Sequence, residues 1–124
     1  QAASLFSNSF DGDKLNKDRQ SNGIAPNFVH SYDASHLMFT ILGAKRRHGI
    51  ESFAVVHDSF GTHACDMEDL STVIRQEFVK IYSEDVLQNF KIEVQKMTDT
   101  ELPPVPEYGS LKIEEVMNSE FFFS

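Results

Sequence analysis

The feature that most constrains this chain is the stretch Phe53-Ala54-Val55-Val56-His57-Asp58-Ser59-Phe60-Gly61-Thr62. A short apolar, β-branched run ends abruptly in a charged residue, and Phe60-Gly61 marks a turn. Runs of this length, bounded by turn formers, read as strands. The spacing predicts a strand over residues 50–56, a tip carrying Asp58 and Ser59, and a return strand at Thr62-His63-Ala64. A carboxylate lifted to the end of a buried hairpin loses solvation unless it faces water, a partner or a cation. Any fold for this chain must therefore solvate that tip, pair it or give it a cation.

Helical spacing surrounds the hairpin. Leu37, Met38, Ile41 and Leu42 predict a helix that starts at a cap provided by Asp33 or Ser35, runs to about Arg47 and is stopped by Gly49. Lys45, Arg46 and Arg47 suit its negative C-terminal end. Asp66 is the expected cap of a second helix with Leu70, Val73, Ile74, Phe78 and Ile81 as its apolar stripe. A third helix is predicted over 84–97, with Val86, Leu87, Phe90, Val94 and Met97 inward. Three of the chain's four prolines fall within residues 102–106, which must be extended. A short helix is expected over 110–118. The upstream residues 1–23 are rich in Ser, Asn, Asp and Lys and read as a loop or mobile segment; Pro26 biases its predecessor toward an extended piece at Phe28-Val29. The class is α+β, with helices packed around a small antiparallel β-hairpin.

With 124 residues there is room for one domain. A net charge of −8 argues against a free-standing nucleic-acid binder, because such modules carry a basic face. The single cysteine, Cys65, cannot form an internal disulfide, so a reducing cytosol fits best. There is no run of the ~20 apolar residues a membrane helix needs, and no signal peptide. The sequence opens at Gln1 without an initiator methionine, which suggests a piece of something longer.

Three chemistries compete for the hairpin. Asp58 at a stiff tip suits a hard divalent cation such as Mg²⁺, which takes one or two carboxylates and leaves room for water and phosphates; the plainer alternative is a turn aspartate bonding its own backbone. His57, His63 and Cys65 raise zinc, but the spacing lacks the paired ligands of structural zinc sites. The His57-Asp58 dipeptide also suggests an HD-type metal-dependent phosphohydrolase with His36 and Asp99 as outlying ligands, although that pair belongs on a helix. The basic cluster Lys45-Arg46-Arg47-His48 is either a solvated helix end or a phosphate contact.

Two long segments, taken in order, carry a resemblance. Gly23-Ile24-Ala25-Pro26-Asn27-Phe28-Val29-His30-Ser31, with Asp33 and Ser35-His36-Leu37, precedes Val56-His57-Asp58-Ser59-Phe60-Gly61-Thr62. Together with the terminal Phe121-Phe122-Phe123-Ser124 they resemble the C-terminal palm and fingers region of single-subunit DNA-directed RNA polymerases of bacteriophage type. The His-Asp-Ser-Phe-Gly form looks like the phage branch. The resemblance covers residues 20–124 and divides 24–124 into a His-Ser-x-Asp motif with its helix (24–49), a motif C hairpin (50–65), helices (66–101), and a proline-rich linker with an aromatic foot (102–124).

What the resemblance implies is specific. Asp58 matches the catalytic, metal-binding aspartate of motif C, sharing two Mg²⁺ ions with an aspartate absent from this chain. His30 is similar to a histidine that senses the ribose and fit of the incoming nucleotide. His57 orients the hairpin or approaches the RNA 3′ end. The aromatic foot packs near the active site. Partners would be a DNA template, nascent RNA, NTPs and the missing N-terminal part of the polymerase, with no membrane. The location would be the cytoplasm of a phage-infected bacterium, with a mitochondrion or plastid as the alternative. Without motif A or the fingers lysine the segment alone should be inactive; a non-catalytic remnant or interaction domain is the competing reading.

Overall fold

In the computed structural model the described residues are 10–11 and 14–122. The chain divides into two units, Gln1–Ser35 and His36–Ser124. In the first, β1 (Phe10–Asp11) pairs antiparallel with β2 (Lys14–Leu15). Helix α1 follows over Lys17–His48, and the boundary between units falls within it.

The start of α1 departs from expectation. The loop expected over residues 1–23 gives way to helix at Lys17, and the extended piece expected at Phe28-Val29 is helical. The reason is local. The Asn16 side chain accepts from the Arg19 backbone N–H at 3.0 Å, and its carbonyl accepts from Gln20 at 3.1 Å, so Asn16 caps the helix one turn before any apolar periodicity begins. Asp18 adds a favourable charge in the first turn. Once nucleated, a helix gains a bond per residue, and continuing through Pro26 forfeits one of them. Further along, Phe28 and Tyr32 pack one turn apart with ring centres 5.0 Å apart and planes tilted by 57°. Ser31 and Ser35 donate back to the carbonyls of Phe28 and Ser31, each at 2.7 Å. Residues 1–9 and 12–13 of the predicted loop lie outside the described residues.

The second unit holds the core. Gly49, at φ 71°, ends α1 as expected, its N–H bonding the Lys45 carbonyl at 3.1 Å. β3 (Ala54–Val56) and β4 (Ser59–Gly61) form the predicted hairpin, with Ala54 opposite Gly61, Val55 opposite Phe60 and Val56 opposite Ser59. Its strands are shorter than predicted, and the return strand is 59–61 rather than 62–64. Phe60-Gly61 therefore belongs to a strand, and Ala64–Asp66 forms a 3₁₀ turn.

Helix α2 (Met67–Tyr82) follows, with Asp66 at the cap position but no side-chain bond to the helix. Its predicted stripe is largely correct. Leu70, Val73 and Ile74 are buried and join Ala44 of α1 and Ile50 in the core, against which Phe53, Phe60 and Phe122 pack. Gly43 permits close approach of α1 and α2: a Cβ there would meet Glu77 Oε1 at 3.0 Å and Val73 Cγ1 at 3.1 Å. Helix α3 (Val86–Gln95) is shorter than predicted and starts at Asp85, whose carboxylate accepts from the Gln88 N–H at 3.0 Å. Its expected inward face is not a core face, since Leu87 and Phe90 are exposed and Met97 is 82% exposed. A proline-rich segment without helix or strand leads to a 3₁₀ segment, Ile113–Asn118, that packs on α2 where a short helix was expected. The architecture is α+β, as read from the sequence.

Candidate functional site

The hairpin is clamped at three levels. Phe60 and Phe53 pack on the core. Across the base, the Thr62 hydroxyl donates to the Ser52 carbonyl at 2.7 Å. Between the strands, alternation sets the faces: Val55 and Phe60 are half-buried, whereas Ala54, Val56 and Ser59 are exposed. Val56, expected to be buried, is 68% exposed because a two-stranded hairpin covers one face only.

The tip is a two-residue turn, His57-Asp58. His57 has φ 55° and is the single non-glycine residue with positive φ among the described residues. Two-residue hairpin loops require positive φ at the first turn position, where glycine is favoured. Holding a histidine there costs about 1 kcal/mol or more. Asp58 is exposed, and no hydrogen bond or ion pair to it occurs among the described residues. The turn-aspartate alternative therefore lacks its bond. Here a strained, anchored bend presents a carboxylate with free lone pairs.

His30 lies on the exposed side of α1 in the first unit, and no bond joins it to the exposed Asp33. His63 is exposed and opens the 3₁₀ turn, its carbonyl accepting from the Asp66 N–H at 2.9 Å. Cys65 is an exposed free thiol. No group of three or more His, Cys, Asp or Glu residues suited to a metal forms among the described residues, so His57, His63 and Cys65 do not come together as one ligand set there. The HD-type reading fails on geometry: His57-Asp58 is a hairpin turn rather than part of a helix, and His36 is buried with Nε2 at 2.9 Å from the Ile74 carbonyl.

The basic cluster is mostly committed within the molecule. Lys45 lies 3.7 Å from Glu51, and His48 lies 3.3 Å from Asp69. Arg47 pairs with the buried Glu77 and donates to Gln76 at 2.5 Å. Only Arg46 of the four has no such partner among the described residues, so the cluster is a paired helix end.

Sequence reasoning missed Arg75, whose Nη2 donates to the Ser119 carbonyl at 3.1 Å while its guanidinium carbon lies 5.8 Å from the centre of the Phe122 ring. No spacing rule links positions 44 residues apart. The Asp85–Tyr108 bond, 2.5 Å, was missed for the same reason. It holds the Asp85 carboxyl below the usual carboxylate range, helped by the Gln88 N–H, and pushes the Tyr108 phenol upward. Phe121 is exposed, Phe122 half-buried, and Phe123 and Ser124 of the aromatic foot lie outside the described residues.

With this geometry in hand, comparison with known proteins decides the family. Residues 2–101 match the family of DNA-dependent RNA polymerases. The chain belongs to that family. It is 43% identical over 113 residues to DNA-directed RNA polymerase 1, mitochondrial, of Arabidopsis thaliana, covering 90% of this chain and 11% of the relative. Against the DNA-directed RNA polymerase of Enterobacteria phage T3 it is 42% identical over 111 residues, covering 86% and 13%. Against DNA-directed RNA polymerase 1A of Nicotiana tabacum it is 41% identical over 113 residues, covering 90% and 72%. The chain thus spans little more than a tenth of the first and second of these polymerases. Identity is similar toward the plant organellar and the phage relatives, 43% and 42%.

Proposed function

We propose that this polymerase-family chain supplies one of the two metal-binding carboxylates of a nucleotidyl-transfer site that adds NTPs to the 3′ end of RNA on a DNA template. The observation that carries the reading is Asp58: exposed, without a bonded partner, and fixed on a strained turn whose arm is anchored in the core. One carboxylate fits the needs of Mg²⁺, which accepts one or two and completes its shell with water and phosphate oxygens. The second carboxylate belongs to polymerase sequence beyond this segment, in keeping with the greater length of the relatives. Bound divalent cations would supply Lewis-acid activation of the 3′-hydroxyl and charge neutralisation on the departing pyrophosphate.

The protein's contribution is positional. Two like-charged carboxylates brought together repel until cations bind, so each needs a support that does not yield. The Thr62–Ser52 clasp and the seating of Phe60 provide it here. In this reading the His57 ring sets the tip or meets the RNA 3′ end. The exposed His30 offers an imidazole donor or acceptor to the ribose of the nascent pair, a role that requires no titration. Basic contacts to the DNA template come from elsewhere in the polymerase, because this segment carries −8.

The test is Asp58→Asn in a complete polymerase chain carrying this segment. Elongation should fall by on the order of a thousandfold or more while template binding persists, since the change removes transition-state charge stabilisation and leaves the binding surfaces intact. Near-normal elongation would exclude the metal role and favour a non-catalytic remnant. This chain by itself, given NTPs and a primed template, should extend nothing.

A further inference from the structure

We infer that His36 is a positioning residue that couples the Asp58 hairpin to the C-terminal segment held by Arg75, a role whose catalytic consequence, though not its structural content, rests on the polymerase reading. His36 sits in α1 at 4% exposure. A carbonyl oxygen can only accept, so the Nε2 atom 2.9 Å from the Ile74 carbonyl carries a proton and donates to it. The ring meets both Phe60, at 5.8 Å, and Phe78, at 5.5 Å, in edge-to-face arrangements. Phe60 is two residues from Asp58.

From Phe78 the contacts continue outward. Its ring meets Phe122 at 4.9 Å in an edge-to-face arrangement. Arg75 covers Phe122, donates to the Ser119 carbonyl, and is itself held by the Ser71 carbonyl at 3.1 Å and hydroxyl at 2.5 Å. A continuous row therefore runs from the hairpin arm through His36 and Phe78 to the C-terminal segment. Edge-to-face ring pairs fix ring orientation as well as distance.

An aliphatic residue at position 36 would fill the space without either function. Imidazole presents polar and aryl edges at once, so one side chain orients Phe60 and anchors to the helix that carries Arg75 and Phe78. Closely packed rows transmit displacement because their members lack room to adjust singly. A shift of the C-terminal segment then reaches the carboxylate through an aromatic contact rather than through the chain.

The test reads amide hydrogen exchange, residue by residue, in the full polypeptide. Arg75→Ala should speed exchange about fivefold at residues 119–122 and, in the same molecule, at the hairpin amides of 55–60, the scale expected for losing one net hydrogen bond. With His36→Leu in the background, Arg75→Ala should speed only the C-terminal amides. His36→Gln, whose amide nitrogen reaches the same carbonyl, should restore part of the coupling. Unchanged hairpin exchange in Arg75→Ala overturns the inference, and so does hairpin loosening that persists in the His36→Leu background or spreads evenly over α2. In a complete polymerase carrying this segment, His36→Leu should lower kcat about tenfold with the NTP KM unchanged, as loss of a transition-state-only contribution does. The two readings fail separately. Exchange coupling without effect of Asp58→Asn on elongation removes the polymerase role alone; loss of elongation in Asp58→Asn without exchange coupling removes the His36 role alone.

Discussion

Two carboxylates of this molecule meet opposite fates. Glu77 is buried beside Gly43 and pairs with Arg47, with Lys80 3.7 Å from its other oxygen. Asp58 stands exposed on a strained turn and pairs with nothing among the described residues. Glu77 lies against the core and Asp58 stands two residues from the core-packed Phe60, so nearness to apolar packing alone does not decide what an acidic group does. The difference is in satisfaction. A buried charge is tolerated when its lone pairs are filled from within the fold, and removing its partner is then costly. A carboxylate kept free on a stiff support is available to something outside the fold.

That contrast can be broken by measurement. Arg47→Met leaves Glu77 buried beside one distant lysine and should destabilise by about 2–3 kcal/mol, read from denaturant midpoints. A cost near zero would mean that Glu77 escapes to solvent. His57→Gly should act the other way. It relieves the positive-φ strain and stabilises by up to about 1 kcal/mol, less the entropy glycine adds to the unfolded chain. If His57 has the role proposed for it, polymerase activity falls in the same variant, separating what the fold needs from what the site needs. Asp58→Asn should leave stability within about 0.5 kcal/mol, because no internal partner is lost; a larger cost would place Asp58 with Glu77 as a structural group.

The smallest effect is expected at Asp85 and Tyr108, an exposed pair with an internal bond, intermediate between the two cases. Asp85 is lowered, so its contribution is present above its unfolded value and is lost as pH falls through the lowered value. Tyr108 is raised, so its contribution is present below the ordinary phenol range and is lost as pH rises through the raised value. Between these limits the bond should hold the proline-rich segment to the start of α3. Tyr108 absorbance followed to high pH in the native protein and in Asp85→Asn should show later ionisation in the former only.

Legibility in the sequence followed the range of the interactions. The hairpin, the stop at Gly49 and the stripe Leu70, Val73, Ile74 were readable because strand alternation, helix periodicity and glycine caps are short-range signals. The start of α1 departs from expectation because Asn16 caps it without an apolar pattern to announce it, and the helix continues through Pro26. The inward face expected of α3 was misread because periodicity shows which residues share a face and is silent on what covers it. Asp58 was legible as a candidate from chemistry; its freedom from partners was not.

Left to itself, the order of residues determined an α+β chain, a hairpin near position 58 and membership of a polymerase family, all properties that neighbours a few positions apart can encode. Only the tertiary structure decided that Arg47 is spent on Glu77, that His36 is a buried wedge rather than a metal ligand, and that Asp58 remains open. Those outcomes depend on groups up to 38 residues apart meeting at bonding distance, and no local pattern records which groups folding will bring together.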